Sequence, residues 1–169
     1  MQRMTRLKLF LCLTLSMFFM VLYAKEDSQD FSQTKISWDG PPQYDFRLLE
    51  CEGSTYTSTV RLKFAIKHNL AHQYVTISNK GAYDRNENSY YVNLYGYKSM
   101  LGYSYYSSIE RIIKTETEAI VEAKVVLKRK IDSFDTVKLE FYITKPYYYR
   151  GICNLEFINL PIEWKFLNF

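Results

Sequence analysis

Residues 60–67 read Val-Arg-Leu-Lys-Phe-Ala-Ile-Lys, and this alternation determines the fold class. Apolar side chains fall on the even-numbered positions, whereas Arg61, Lys63 and Lys67 fall on odd-numbered ones. A period of two is typical of a β-strand with one buried face and one solvated face. The stretch therefore predicts a strand at the surface of a β-sheet protein.

The same alternation recurs along the chain, with turn residues between the segments. The strong strand candidates are 121–127, 137–143, 153–157 and 162–166, and the weaker ones are 36–38, 45–51, 74–78 and 90–97. Clusters of Gly, Pro, Asn, Asp and Ser between them predict turns. We therefore expect an all-β fold: a single antiparallel β-sandwich, immunoglobulin-like or similar, with about seven to nine strands.

Two local patterns give narrower predictions. Ser107 and Glu110 have capping-box spacing, so 107–114 is a candidate short helix, with a strand as the alternative because its isoleucines are β-branched. The core faces of 121–127 and 137–143 both use odd-numbered positions. Opposed residues share a face, so these strands could form a hairpin in which Leu127 lies opposite Phe141 for one permitted loop length.

The first 24 residues have the layout of a secretory signal peptide. Basic residues precede an apolar run from Leu9 to Tyr23, and Ala24 supplies a small residue at the expected cleavage site. An uncleaved membrane anchor is the alternative, although the run is shorter than the roughly 18 to 20 residues that span a bilayer. We expect a secreted, periplasmic or extracellular protein with a flexible N-terminal tail at 25–33 and one domain at 34–169. No membrane span is expected after cleavage.

The charge balance of the mature chain argues against a nucleic-acid partner. The full sequence has 22 basic and 18 acidic residues, a formal charge of +4. Three basic residues and no acidic residue lie in the leader, so the remainder has 19 minus 18, or +1. Nucleic-acid binding requires a basic surface that displaces phosphate counterions.

Cys51 and Cys153 are the two cysteines that follow the leader. In an oxidising compartment an isolated pair predicts a disulfide, and here only one connectivity is possible. Two separate buried thiols are the alternative. The bond would close a long loop and constrain the unfolded chain strongly.

The histidines give little support for catalysis or for metal binding. His68 and His72 are the only ones, and their spacing suits a zinc site only on a helix with a third ligand. The segment reads instead as a strand end followed by a turn, so we predict no metal, no cofactor and no catalytic residue. A hydrolase that uses His68 or His72 with a distant carboxylate such as Asp84 is the third-ranked alternative.

Tyrosine is the unusual feature of the composition, with 16 residues in the chain. Its ring offers a large contact area, a polar tip and few torsions to immobilise, which suits protein interfaces and sugar platforms. Half-buried sheet tyrosines without a ligand are the alternative. The predicted binding residues are Tyr91, Tyr95, Tyr97, Tyr103, Tyr105 and Tyr106.

These features together favour an exported, non-enzymatic protein that binds a protein partner. An envelope accessory factor, an adhesin-like module, an inhibitor and a host-directed factor all fit this description. A carbohydrate or small-ligand binding module that uses the same tyrosines is the alternative.

Overall fold

Alternating apolar residues produce strands throughout the computed structural model, which describes residues 29–98, 102–145 and 151–166. This part of the chain contains twelve strands and no helix. The strands are β1 (Lys35–Trp38), β2 (Tyr44–Ser54), β3 (Thr59–His68), β4 (Gln73–Tyr83), β5 (Ser89–Tyr90), β6 (Val92–Lys98), β7 (Gly102–Tyr106), β8 (Ser108–Ile113), β9 (Ala119–Val126), β10 (Ser133–Lys145), β11 (Gly151–Pro161) and β12 (Glu163–Lys165). The all-β prediction is confirmed, with more strands than expected.

The strands form two packed sheets of six strands each. In the first sheet the order is β1-β11-β10-β4, and both β5 and β8 pair with β4. In the second sheet the order is β12-β2-β3-β9-β6-β7. The pairs are antiparallel except β12 with β2, which is parallel. The β-sandwich prediction is therefore confirmed.

The core lies between the two sheets and is built from the alternating residues of their strands. Phe64 of the second sheet meets Phe157 of the first, with ring centroids 5.2 Å apart. The four apolar residues of the opening stretch are all essentially inaccessible to solvent: Val60, Leu62, Phe64 and Ile66. Burying such side chains is the main favourable contribution to the stability of the fold.

The predicted hairpin between 121–127 and 137–143 is wrong. β9 pairs with β3 and β6 in the second sheet, whereas β10 pairs with β4 and β11 in the first. Val125 and Phe141 are both buried, as the parity required, but they face the core from opposite sheets. Residues 127–132 therefore connect the two sheets.

The predicted helix at 107–114 is also wrong, because this segment forms β8 along one edge of β4. A helix would place Ile109, Ile112 and Ile113 on one face. In the structure Ile109 and Ile113 are buried while Ile112 is exposed, which is the alternation of a strand. The β-branched residues favour this outcome because their restricted torsions suit a pleated sheet.

The predicted disulfide is absent, because Cys51 and Cys153 lie at different levels of the core. Cys153 lies opposite Phe141, whose ring contacts Phe46 near the start of β2. Cys51 lies five positions further along that strand, roughly 16 Å at the rise of a β-strand. A disulfide needs Cα atoms within about 7 Å. Burial raises the pKa of the Cys51 thiol, with a further contribution from Glu52.

Two residues of the segment predicted as an N-terminal tail, Gln29 and Phe31, contact the sandwich. Gln29 donates side-chain hydrogen bonds to the carbonyl oxygens of Cys51 and Pro161, and it accepts one from the Cys51 amide. Phe31 packs against the core. The predicted signal peptide at 1–24 and residues 25–28 lie outside the described residues.

Candidate functional site

The tyrosine-rich segment forms a two-stranded ribbon, which we call the tyrosine hairpin and define as β6 and β7. Tyr95 pairs with Tyr105, and Tyr97 pairs with Tyr103. Directly opposed residues of an antiparallel pair lie on the same side of the ribbon, and positions two apart also share a side. The register thus places these four predicted residues together as two successive cross-strand pairs.

The outer half of the tyrosine hairpin continues past its neighbour in the sheet. β9 pairs with β6 at Val92, Asn93 and Leu94, and the rest of β6 pairs with β7 alone among the described strands. β7 is the last strand of the second sheet. The ribbon therefore presents an edge strand, whose outward backbone groups can pair with an added strand.

The inner side of the hairpin rests on β8. A Cβ atom at Gly96 would lie 2.5 Å from Cγ2 of Ile109, so only glycine allows this approach. Arg111 donates a hydrogen bond of 2.8 Å to the Tyr95 carbonyl oxygen. These contacts hold the hairpin on the sandwich at a defined angle.

The two remaining predicted tyrosines lie elsewhere. Tyr106 pairs with Leu94 and packs against the core, so it is on the opposite side of the ribbon from Tyr95. Tyr91 is 57% exposed but precedes β6, at the end of that strand remote from the β6–β7 turn. The structure thus brings together four of the six predicted residues.

His68 is a structural residue of the core. Its Nδ1 accepts a hydrogen bond from the Leu70 amide at 3.2 Å, so Nε2 carries the proton and donates to the Ile113 carbonyl oxygen at 2.9 Å. Both ring nitrogens are satisfied by backbone groups in a buried site. This arrangement leaves neither nitrogen available for a substrate or a metal ion.

The suggested combination of the histidines with Asp84 is not formed. His72 Nδ1 contacts Thr115 Oγ1 at 3.3 Å, and Asp84 lies just past the opposite end of β4. In the described ranges, no group of three or more His, Cys, Asp or Glu residues could hold a metal ion. The geometry thus gives the hydrolase alternative no support.

Asp84 instead organises a polar network that sequence reasoning missed. Its carboxylate accepts hydrogen bonds from the Asn86 and Asn88 amides, the Asn88 side chain and the Tyr90 hydroxyl. Burial opposes ionisation, but these hydrogen bonds outweigh it and hold the pKa of Asp84 well below its usual range. Arg129 reaches the same carboxylate at 3.5 Å. The Asp-x-Asn-x-Asn spacing at 84–88 is the sequence pattern that could have indicated this network.

Comparison with known proteins adds no functional information. No protein-family model matches the chain, and a search of curated proteins finds no match.

No helix within the described ranges has the length and apolar character needed to cross a membrane.

Proposed function

We propose that this protein is an exported, non-enzymatic module that binds a protein partner through the tyrosine hairpin. The observation that carries the proposal is the register that pairs Tyr95 with Tyr105 and Tyr97 with Tyr103 on a ribbon extending past β9. Support for export comes from the signal-peptide layout of residues 1–24.

Tyrosines concentrated on a projecting edge suit protein recognition for two reasons. Their rings contribute large contact area at low conformational cost, and tyrosine is enriched among the residues that dominate binding energy. The edge strand β7 can also add backbone hydrogen bonds to an extended partner segment. The tyrosines would thus contribute most of the affinity and select the partner, while the backbone contacts would orient its chain.

The test compares two pairs of tyrosines. Tyr97→Ser with Tyr103→Ser removes one cross-strand pair of the hairpin, and Tyr74→Ser with Tyr142→Ser removes two exposed tyrosines of the first sheet. We expect the hairpin variant to lose roughly 30-fold or more in affinity for a captured partner, and the control variant to bind as the parent does. Thermal unfolding verifies that both variants are folded.

Folded hairpin variants that keep every interaction of the parent would contradict the proposal. Unfolding of the hairpin variant alone would assign these tyrosines to the structure of the sheet. Glycan binding that depends on Tyr97 and Tyr103 would redirect the function to the carbohydrate alternative.

A further inference from the structure

The connection between the two sheets carries three consecutive basic residues. Lys128, Arg129 and Lys130 lie between β9 and β10, and all three side chains are exposed. Together with Leu127, Ile131 and Asp132, they form what we call the basic loop, residues 127–132. A near-neutral mature chain thus concentrates positive charge in one place.

The backbone of the basic loop is fixed by its neighbours. Near its start, the Leu127 amide donates to the Ser58 carbonyl oxygen at 2.8 Å. Near its end, the Ile131 carbonyl oxygen accepts from Trp164 Nε1 at 2.8 Å, and the Asp132 carbonyl oxygen accepts from the Ile162 amide at 2.9 Å. Charges on such a loop are held at set positions, which reduces the entropy lost on binding.

Two of the cationic side chains are also oriented. The Arg129 guanidinium lies 3.5 Å from an Asp84 carboxylate oxygen, and the Asp84 side chain is only 4% exposed. The Lys130 ammonium lies 5.0 Å from the centre of the Trp164 ring. The loop thus presents two of its three cations in a defined arrangement.

Arg129 separates two clefts at this end of the sandwich. A cleft of about 340 Å³ is lined by Arg85, Arg129 and Lys130, and one of about 600 Å³ by Lys128 and Arg129, among others. The acidic residues that line them are Glu87, Asp132 and the buried Asp84. The four cations exceed these three acids, so the clefts favour small anionic groups.

An exposed aromatic pair lies at the same end. Tyr56 is 72% exposed and Phe166 is 83% exposed, and their rings are 6.1 Å apart. Tyr56 belongs to the turn that contains Ser58, the hydrogen-bond partner of Leu127. Exposed aromatic rings beside lysines and arginines are the combination found where proteins enter the headgroup region of a bilayer.

We propose that this end of the sandwich docks on an anionic phospholipid surface. Lipid phosphates occupy the clefts beside Arg129, and the rings of Tyr56 and Phe166 enter the headgroup region. Complementary charge identifies the membrane as anionic, and the aromatic pair distinguishes it from a soluble polyanion. Strand β6 runs from Val92, opposite Val125, toward the other end of β9, so docking leaves the tyrosine hairpin accessible.

The test measures sedimentation of the full protein, recovered from a secretion-competent host, with phosphatidylcholine vesicles with and without phosphatidylglycerol. We expect binding only to the anionic vesicles, weakened by high salt. Lys128→Gln with Lys130→Gln should lower the partition coefficient about 30-fold, roughly fivefold for each lysine. Tyr56→Ser with Phe166→Ser should lower it roughly tenfold.

Two control variants test whether the position of the substituted residues matters, rather than the net charge or the number of aromatic residues of the protein. Lys80→Gln with Lys138→Gln removes the same charge from the first sheet, where these lysines pair with Glu140 and Glu156. Tyr74→Ser removes an exposed tyrosine from that sheet. Both controls should bind the anionic vesicles as the parent does.

Equal binding to the two kinds of vesicle, or equal loss in the loop variant and its lysine control, would overturn the proposal. So would a protein that ignores the vesicles but is retained on heparin through Lys128 and Lys130, since that result assigns the loop to a soluble polyanion. Thermal unfolding of each variant excludes loss of binding through misfolding.

Discussion

The tyrosine hairpin and the basic loop lie toward opposite ends of the sandwich and are built in different ways. The hairpin is local: its paired residues, from Leu94 with Tyr106 to Lys98 with Gly102, are close in sequence. The basic loop depends on distant segments, including Ser58, Asp84 and Trp164. A local surface can be recognised in the sequence, whereas an assembled surface requires the fold. The two should therefore respond independently to substitution.

The largest effect is expected where the hairpin rests on β8. Gly96→Ala places a Cβ atom 2.5 Å from Cγ2 of Ile109, so the hairpin or β8 must shift. We expect a loss of about 1 to 3 kcal/mol in the free energy of unfolding. Urea unfolding measures the loss, and hydrogen exchange should locate the change in β6 to β8 while the basic loop keeps its protection.

A double-mutant cycle with Ile109→Ala tests the cause. Removal of the Ile109 side chain costs stability by itself, but it also removes the atom that the new methyl group of Gly96→Ala would meet. The two substitutions together should therefore destabilise by about 1 kcal/mol less than the sum of their separate effects. Strict additivity would refute steric contact between these positions as the reason for glycine.

Most of the fold could be predicted from the sequence, because burial on one face leaves a period of two in several of the long strands. Residues 60–67 and 137–143 are examples. The pairing partners of the strands could not be predicted. The odd-numbered core positions of β9 and β10, for example, fit both a hairpin within one sheet and two strands that lie in different sheets. The disulfide prediction was wrong for a related reason. Cys51 and Cys153 are both buried, but they lie at different levels of the core.

The two candidate surfaces also differ in how far the sequence could predict them. Four tyrosines of the hairpin could be grouped from their spacing, whereas the position of Tyr106 against the core follows from its pairing with Leu94. The basic loop was missed because a net charge averages over the whole surface, so the formal charge of +1 for residues 25–169 conceals a local excess. Tyr56 and Phe166 are 110 positions apart in sequence, so no local pattern connects them.

An effect of intermediate size on thermal stability is expected when low pH protonates the Asp84 carboxylate. Hydrogen bonds lower the folded-state pKa of this carboxyl, whereas the unfolded value is about 3.9. Its contribution to stability is therefore complete above the unfolded pKa and is lost as the pH falls through the folded pKa. We expect the melting temperature of the parent to fall below about pH 4 partly for this reason.

Asp84→Asn isolates that contribution. The variant should melt at a lower temperature than the parent at neutral pH, and the difference should narrow in acid. Asp45→Asn, at an exposed acid of β2, serves as the control. Partner binding through the tyrosine hairpin should be unchanged in both. A pH dependence identical in the parent and in Asp84→Asn would show that the network does not depend on the charge.

The smallest effect on stability is expected from substitution of Lys130. This substitution tests whether a side-chain contact helps to hold the basic loop. The Lys130 ammonium lies 5.0 Å from the centre of the Trp164 ring, and a cation at an exposed ring contributes about 0.5 to 1 kcal/mol. Lys130→Gln should cost that amount in urea unfolding and should change Trp164 fluorescence. Lys128→Gln removes an adjacent charge without a ring partner in the described structure, so it should cost less than about 0.5 kcal/mol. Equal costs for the two substitutions would show that the Lys130–Trp164 contact does not hold the loop, and would leave its backbone hydrogen bonds and the Arg129–Asp84 ion pair to fix its shape.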